Sequence, residues 1–198
     1  MTEGVHAMGD ASAWVVRWSH LLRHGSTVLD IACGQGRHMK HLSSLGYSAT
    51  GVDRSAEALS VASQWGETVL ADIENAPWPL MQGQQLRRFN AVVVTKYLWR
   101  PLIPVMLQSL APGGILIYET FAAGNETVGK PSRPDFLLEP GELLRAFSSL
   151  HVIAFEDGFL ESPARFVQRI VAAAPEAGPM SKLSASHSKV PSPRRFPL

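Results

Sequence analysis

The chain has 198 residues, 18 lysines and arginines against 17 aspartates and glutamates, a net charge of +1 and 45% hydrophobic residues. That length suits one domain with a full hydrophobic core. The even charge balance excludes the global bias of nucleic-acid or membrane-surface binders, and the single cysteine excludes an internal disulfide framework or a cysteine-rich zinc site.

Residues 1–11 are small and polar and are expected to be loose. They lack the basic and apolar regions of a signal peptide, and no apolar stretch reaches the ~20 residues of a membrane helix; the expected location is the cytoplasm, with no membrane partner. Trp14, Val15, Trp18, Leu21 and Leu22 recur at helical spacing and predict a helix over 12–24 that stops at Gly25. A strand at 27–32, a helix at 36–45, a strand at 48–52, a helix at 56–64 capped by Ser55 and a strand at 68–71 follow. Pro77, Pro79 and Gly83 mark 73–88 as a loop. Phe89–Thr95 is a continuous apolar run of the kind buried on both faces of a parallel sheet.

A helix over 103–110 is broken by Pro112, Gly113 and Gly114, which lead into a strand at 115–119. Residues 122–138 form a polar connection long enough to point to function or mobility. Pro140 opens a helix to Phe147. Two β-type runs, 151–156 and 165–172, close the pattern as a hairpin. The alternation predicts an α/β, Rossmann-like, doubly wound and mostly parallel sheet with helices on both faces, filling a domain of residues 1–174. From 175 to 198, proline, serine and the cations Lys182, Lys189, Arg194 and Arg195 cannot build a core, and this tail is expected to be disordered.

The most telling stretch is 28–38. Val28, Leu29 and Ile31 read as strand, Ala32-Cys33-Gly34-Gln35-Gly36 as a small-residue loop, and a helical pattern follows. A strand emptying into a glycine loop at a helix N-terminus is how α/β proteins hold adenosine-type cofactors. The loop lets ligand and backbone approach closely, and its N–H groups with the helix dipole favour a negative group. Asp30 stands just before the loop, Asp53 ends the second strand and Asp72 the third. Three successive strand–helix units would deliver these carboxylates to one edge of a sheet. A dinucleotide fingerprint wants a third glycine where Met39 stands.

With these motifs the chain resembles the class I S-adenosylmethionine-dependent methyltransferases over residues 12–174. Within them it is similar to the small bacterial branch related to tellurite-resistance-type and other generic methyltransferase domains. The resemblance implies seven strands with the last antiparallel, S-adenosyl-L-methionine as cofactor and S-adenosyl-L-homocysteine as product. It implies that Asp30 holds the methionyl end, through its ammonium directly or through water, and that Ala32, Cys33, Gly34 and Gly36 form the loop beneath that end. It further implies that Asp53, followed by Arg54, accepts the ribose hydroxyls, and that Asp72 receives the adenine amino group with Ile73 packed on the ring. Thr95, Lys96 and Tyr97 would line the sulfur and methyl region. Ala32 replaces a commoner glycine, and alanine takes positive φ only at a cost, so an ordinary backbone is expected there. Relatives often carry Asn where Lys96 stands and His where Trp99 stands.

Methyl transfer is an in-line displacement for which the protein aligns donor and acceptor. Tyr97 is a catalytic candidate to orient or deprotonate the acceptor, although an unperturbed phenol is a poor base; the alternatives are that Tyr97 packs on the cofactor and that Arg100 pairs with a nearby carboxylate. Glu119 is the second catalytic candidate. It either faces the pocket mouth to bind a cationic or hydroxyl group, or pairs with Arg133 or Arg145. Loop 122–138, with Gly124, Asn125, Gly129, Pro131 and Pro134, is the candidate lid. His20 with His24, and His38 with His41, have metal-ligand spacing but no acidic or cysteine partner at such spacing, so no metal is expected; Cys33 reads as a packing residue. A small-molecule acceptor is favoured, because the body is weakly acidic and carries no RNA-binding appendage. The alternatives are a nucleic-acid methyltransferase whose tail folds on its substrate and a non-catalytic cofactor-binding regulatory protein.

Overall fold

Apolar runs without polar alternation become the centre of one seven-stranded sheet. The computed structural model describes residues 8–177; the expected loose start and disordered tail fall largely outside the described residues. The strands are β1 (Thr27–Ile31), β2 (Ser48–Asp53), β3 (Gly66–Leu70), the short β4 (Met81–Gln82) and β5 (Gln85–Leu86), then β6 (Phe89–Thr95), β7 (Leu110–Phe121), β8 (His151–Glu161) and β9 (Ala164–Ala173). The large sheet has the order β3-β2-β1-β6-β7-β9-β8. Every neighbouring pair from β3 to β7 is parallel, and β9 runs antiparallel to both β7 and β8. The winding direction reverses between β1 and β6, which opens a crevice at the carboxyl ends of the strands, where α/β sheets bind ligands.

Strand alternation sorts the side chains into two cores. Leu29, Ile31, Val92, Val94, Leu116 and Tyr118 pack with Met106 of α4 (Ile103–Gln108) and with Leu143 and Phe147 in and beside α5 (Glu142–Ala146). Val28, Ala91, Val93, Ile115 and Ile117 pack with Trp14, Val15 and Trp18 of α1 (Ala13–Trp18) and Leu42 of α2 (Arg37–Ser44). Helices thus cover both faces as expected. No helix among the described residues is long and apolar enough to cross a membrane.

Several boundaries differ from the sequence expectation. Residues 73–88 are not all loop: β4 and β5 form a small hairpin, because Gly83 at φ +63 supplies the positive φ that a two-residue turn needs. The first helix is α-helical only to Trp18 and then tightens to a 3₁₀ turn at Ser19–Leu21. The closing hairpin is longer than expected. Gly158 lies inside β8 opposite Val167, and Phe159 packs on Phe166 at 4.9 Å, so pairing runs on to Glu161 and resumes at Ala164. The connection 122–138 is tied down. Ala122 bridges Leu138, and buried Asn125 donates to Pro131 O at 2.9 Å while accepting from Phe166 N–H at 3.2 Å. Arg100 grips Glu142 with two nitrogens (2.7 and 2.9 Å) and donates to the carbonyls of Asp135 and Leu137 (2.9 Å each). That fulfils the expected carboxylate pairing of Arg100.

Gly36 joins α2 to α3 (Ala56–Ala62). Its φ is +80, and an added Cβ would stand 2.9 Å from Ala62 Cβ. Gly36→Ala therefore combines left-handed strain with overpacking, and urea denaturation should show a loss of about 2–4 kcal/mol; an unchanged midpoint would mean that the α2–α3 contact is not tight.

Candidate functional site

Asp53, at the end of β2, shapes the site. Its Oδ2 accepts the N–H of Gly34 at 2.8 Å and its Oδ1 the N–H of Ser55 at 2.9 Å. One carboxylate thereby ties the glycine loop to the start of α3. Cys33 N–H donates to Val52 O at 3.1 Å and continues the tie. Held this way, the chain must turn sharply as β1 ends. Ala32 sits at φ +55, and the ordinary backbone expected there is overturned. The left-handed region costs an L-residue roughly 1–2 kcal/mol, and non-glycine residues so placed collect at ligand sites.

Two cavities open over this edge. One, of about 410 Å³, runs from the ends of β2 and β3 (Asp53, Arg54, Asp72, Ile73, Glu74) to the ends of β6 and β7 (Leu98, Thr120, Phe121), with Pro131 and Phe136 of the 122–138 connection as its outer wall. The other, of about 430 Å³, lies over the glycine loop: Cys33, Gly34, Gln35, Arg37, His38 and Thr95 line it beneath Met8 and Gly9. Ala32, Lys96 and Tyr97 border both, so the cavities meet there.

The three expected carboxylates do not share one lining. Asp53 and Asp72 border the first cavity, whereas Asp30 is 1% exposed and borders neither. Asp72 itself caps a turn: it accepts from the backbone of Glu74 and Asn75 and from Asn75 Nδ2 at 2.9 Å, and these bonds hold its carboxyl below the usual range. Asp30 Oδ2 is buried without a hydrogen-bond partner. His38 Nδ1 stands 3.7 Å away, too far for a bond. Ser12 N–H donates to His38 Nε2 at 3.3 Å, which places the ring proton on Nδ1, toward Asp30. An orphaned buried carboxylate oxygen is costly and marks a place for a donor from outside the chain.

Residues 9–12 cross the glycine loop and are fastened to it. Arg37 donates to Asp10 O at 3.2 Å and to Thr95 Oγ1 at 3.1 Å, and Ser12 Oγ donates to Glu119 Oε1 at 2.9 Å. Of these residues, sequence reading had named only Thr95 and Glu119 for the site. Arg37 directly follows the last loop glycine and was legible in principle; the partners of Ser12 are far away in sequence and gave no local signal.

Glu119 does not face the pocket mouth and pairs with neither Arg133 nor Arg145. It belongs to the row that continues Ile115 and Ile117, on the α1 side of the sheet. Its Oε2 stands 3.0 Å from Arg169 Nε, an ion pair by distance without the alignment of a hydrogen bond, and Arg169 reaches on to Glu156 at 3.4 Å. Thr120 and Phe121, one and two residues on, line the first cavity instead. The surroundings of Tyr97 disfavour it as a base. Burial and the neighbouring Glu74 carboxylate push its phenol well above its ordinary value, and its hydroxyl is buried without a bonded partner. Cys33 is 5% exposed, and burial with Asp30 and Asp53 nearby drives its thiol far above the usual range, which suits packing. Gly36 and Trp99 border neither cavity.

Comparison with known proteins matches residues 28–114 to the family model described as "Methyltransferase domain". No curated sequence matches significantly. Among solved structures, TehB from Haemophilus influenzae aligns at TM-score 0.68 and 20% identity over 83% of this chain; the chain spans 62% of that structure. An S-adenosylmethionine-dependent methyltransferase from Methanosarcina mazei aligns at 0.64 and 17% identity, over 85% of this chain and 100% of that one. A TehB-like S-adenosylmethionine-dependent methyltransferase from Corynebacterium glutamicum aligns at 0.61 and 18% identity, over 85% and 90%. At these identities the likeness to solved structures is one of fold.

The Glu119–Arg169 pair gives a stability test. Glu119→Ala leaves a buried guanidinium without its nearer partner and should cost about 3–5 kcal/mol; Glu156→Ala, at the exposed end of the row, should cost less than ~1 kcal/mol. Equal losses in denaturant titration would mean that the row is not the buried device described.

Proposed function

We propose that this chain is a class I S-adenosylmethionine-dependent methyltransferase, which transfers a methyl group from S-adenosyl-L-methionine to a small-molecule acceptor. The observation that carries the reading is the meeting of two cavities at Ala32, Lys96 and Tyr97, one with groups suited to a nucleoside and the other with groups suited to an amino-acid tail. The donor set fits the cofactor. Asp53 uses one lone pair of each oxygen on the backbone and keeps the others for a pair of ribose hydroxyls. Asp72 offers an acceptor for an exocyclic amine, and Ile73 an apolar surface for a ring. Arg37 spends two N–H groups on the protein and has three left for a carboxylate. The orphaned oxygen of Asp30 suits an ammonium, reached directly or through water.

When bound, the cofactor supplies a methyl carbon made electrophilic by its sulfonium. The chain's own residues hold the donor at the junction of the cavities, align an acceptor from the β6–β7 side, and exclude water with Leu98, Phe121, Pro131 and Phe136. Tyr97, kept as a phenol, serves as wall or hydrogen-bond donor. The 122–138 connection, held by Asn125 and Arg100, forms a fixed outer wall of the site. Supporting a small acceptor is the short stretch of the first cavity, about 410 Å³ in all, that is left beyond the groups assigned to the nucleoside.

Calorimetry on the full chain should detect binding of S-adenosyl-L-methionine and of S-adenosyl-L-homocysteine. Asp53→Ala should weaken both by ~1.5–3 kcal/mol, with the fold intact by circular dichroism. Unchanged affinity would place the ribose elsewhere, and tight binding without turnover on any acceptor class would favour a non-catalytic, cofactor-holding protein.

A further inference from the structure

Lys96 stands where the two cavities meet, directly after β6. Its φ is +54 and its N–H donates to Glu119 O at 2.9 Å. A lysine in the left-handed region is strained by roughly 1–2 kcal/mol, as residues at ligand clamps often are. Among the described residues its ammonium has no ion pair and no hydrogen bond. Glu119, the carboxylate that acts on it, is already engaged by Arg169 and Ser12. Lys96 is exposed; partial desolvation, with the positive charge of Arg37 and Arg165, holds the ammonium below its ordinary value.

Beyond Lys96, toward the 122–138 wall, the first cavity is apolar: Leu98, Phe121, Pro131 and Phe136, with Thr120 beside them. The lining residues of this end, Leu98, Thr120, Phe121, Pro131 and Phe136, include no carboxylate and no histidine. Glu119 belongs to the other side of the sheet, the Tyr97 phenol is pushed up by burial and by Glu74 beside it, and Asp53 and Asp72 lie at the β2–β3 end. An acceptor already ionised needs no base, whereas one that had to lose a proton would depend on Glu74 beside Tyr97. A cationic acceptor would add like charge to Lys96, Arg37 and Arg165.

We propose that Lys96 holds the methyl acceptor, and that this acceptor is a small organic anion, ionised before it binds, whose carboxylate, thiolate or acidic phenolate sits at the ammonium while an apolar or aromatic body lies on Phe121 and Phe136. The proposal rests on the methyltransferase reading above. A lone pair of the acceptor's oxygen or sulfur forms the bond to the methyl carbon, and the carbon–sulfur bond of the sulfonium breaks with its electron pair left on sulfur. The products are an ester, thioether or ether and a neutral S-adenosyl-L-homocysteine sulfur; no proton is released at the acceptor atom. One positive and one negative charge vanish together beside the apolar wall of Leu98, Phe121, Pro131 and Phe136. Lys96 thus sets specificity by charge, and the aromatic wall sets it by shape.

The test uses the full chain in two steps. Calorimetry with S-adenosyl-L-methionine comes first; a chain that binds none fails the methyltransferase reading, and this proposal with it. A panel matched in its ring then follows release of S-adenosyl-L-homocysteine: benzoate, phenylacetate, thiophenolate and 4-nitrophenolate against benzyl alcohol and benzylamine. At least one anion should turn over with a kcat/KM tenfold or more above the alcohol and the amine. Lys96→Met should raise the KM for that anion tenfold or more, beyond any change in cofactor affinity measured by calorimetry; Lys96→Arg should recover part of the loss. Preference for the alcohol or the amine, inertness of all four anions, or an unchanged KM in Lys96→Met would overturn the assignment while leaving cofactor binding intact.

Discussion

Two hydrogen bonds to one carboxylate organise this molecule's functional edge. Asp53 accepts from Gly34 and from Ser55, so the loop after β1 and the first turn after β2 cannot move apart. The bonds are charge-assisted and therefore among the stronger ones. Their consequence is geometric. Next to this tie Ala32 takes up the left-handed region, and Cys33, Gly34 and Gln35 line the glycine-loop cavity. Strain at Ala32 and order at Asp53 are two sides of the same constraint.

The second organising rule is the two-residue period of the strands. It sends Asp30, Thr95, Glu119 and Arg169 to the α1 side of the sheet, next to the layer of Val28, Val93 and Ile117. There they meet polar groups from the segment before α1. Ser12 reaches Glu119 and His38, Asp10 meets Arg37, and the Arg169 guanidinium lies 5.5 Å over the Trp14 ring. The N-terminal segment is therefore bound to the site by charge and hydrogen bonding, while α1 behind it is bound by its tryptophans. The opposite side of the sheet stays apolar up to Tyr118, whose hydroxyl donates to Tyr97 O at 2.9 Å and steadies the backbone after β6.

Much of this was legible in the sequence because it is local. The uninterrupted Phe89–Thr95 run, the loop from Ala32 to Gly36 and the acids at the ends of β2 and β3 each report on their own strand. The sheet and one wall of the cavity follow from them. What was not legible is long-range. Whether Glu119 faces the cavity or α1 depends on the register of β7 against β9, and its partner Arg169 lies fifty residues away in sequence. Asp30 was expected among the cavity acids, but strand alternation turns it into the protein toward His38. The backbone at Ala32 was misjudged for the same reason: residue preference argued for ordinary φ, and a tertiary tie at Gly34 overrode it.

We propose that the cavities on either side of Ala32, Lys96 and Tyr97 form one binding site for a sulfonium nucleoside. A crystal structure of the chain with S-adenosyl-L-homocysteine tests this most directly. The account predicts the ribose on Asp53, the base beside Ile73, the amino-acid tail over the glycine loop, and the sulfur between Ala32, Lys96 and Tyr97. A ligand confined to one cavity, or bound with its sulfur away from that junction, would contradict it.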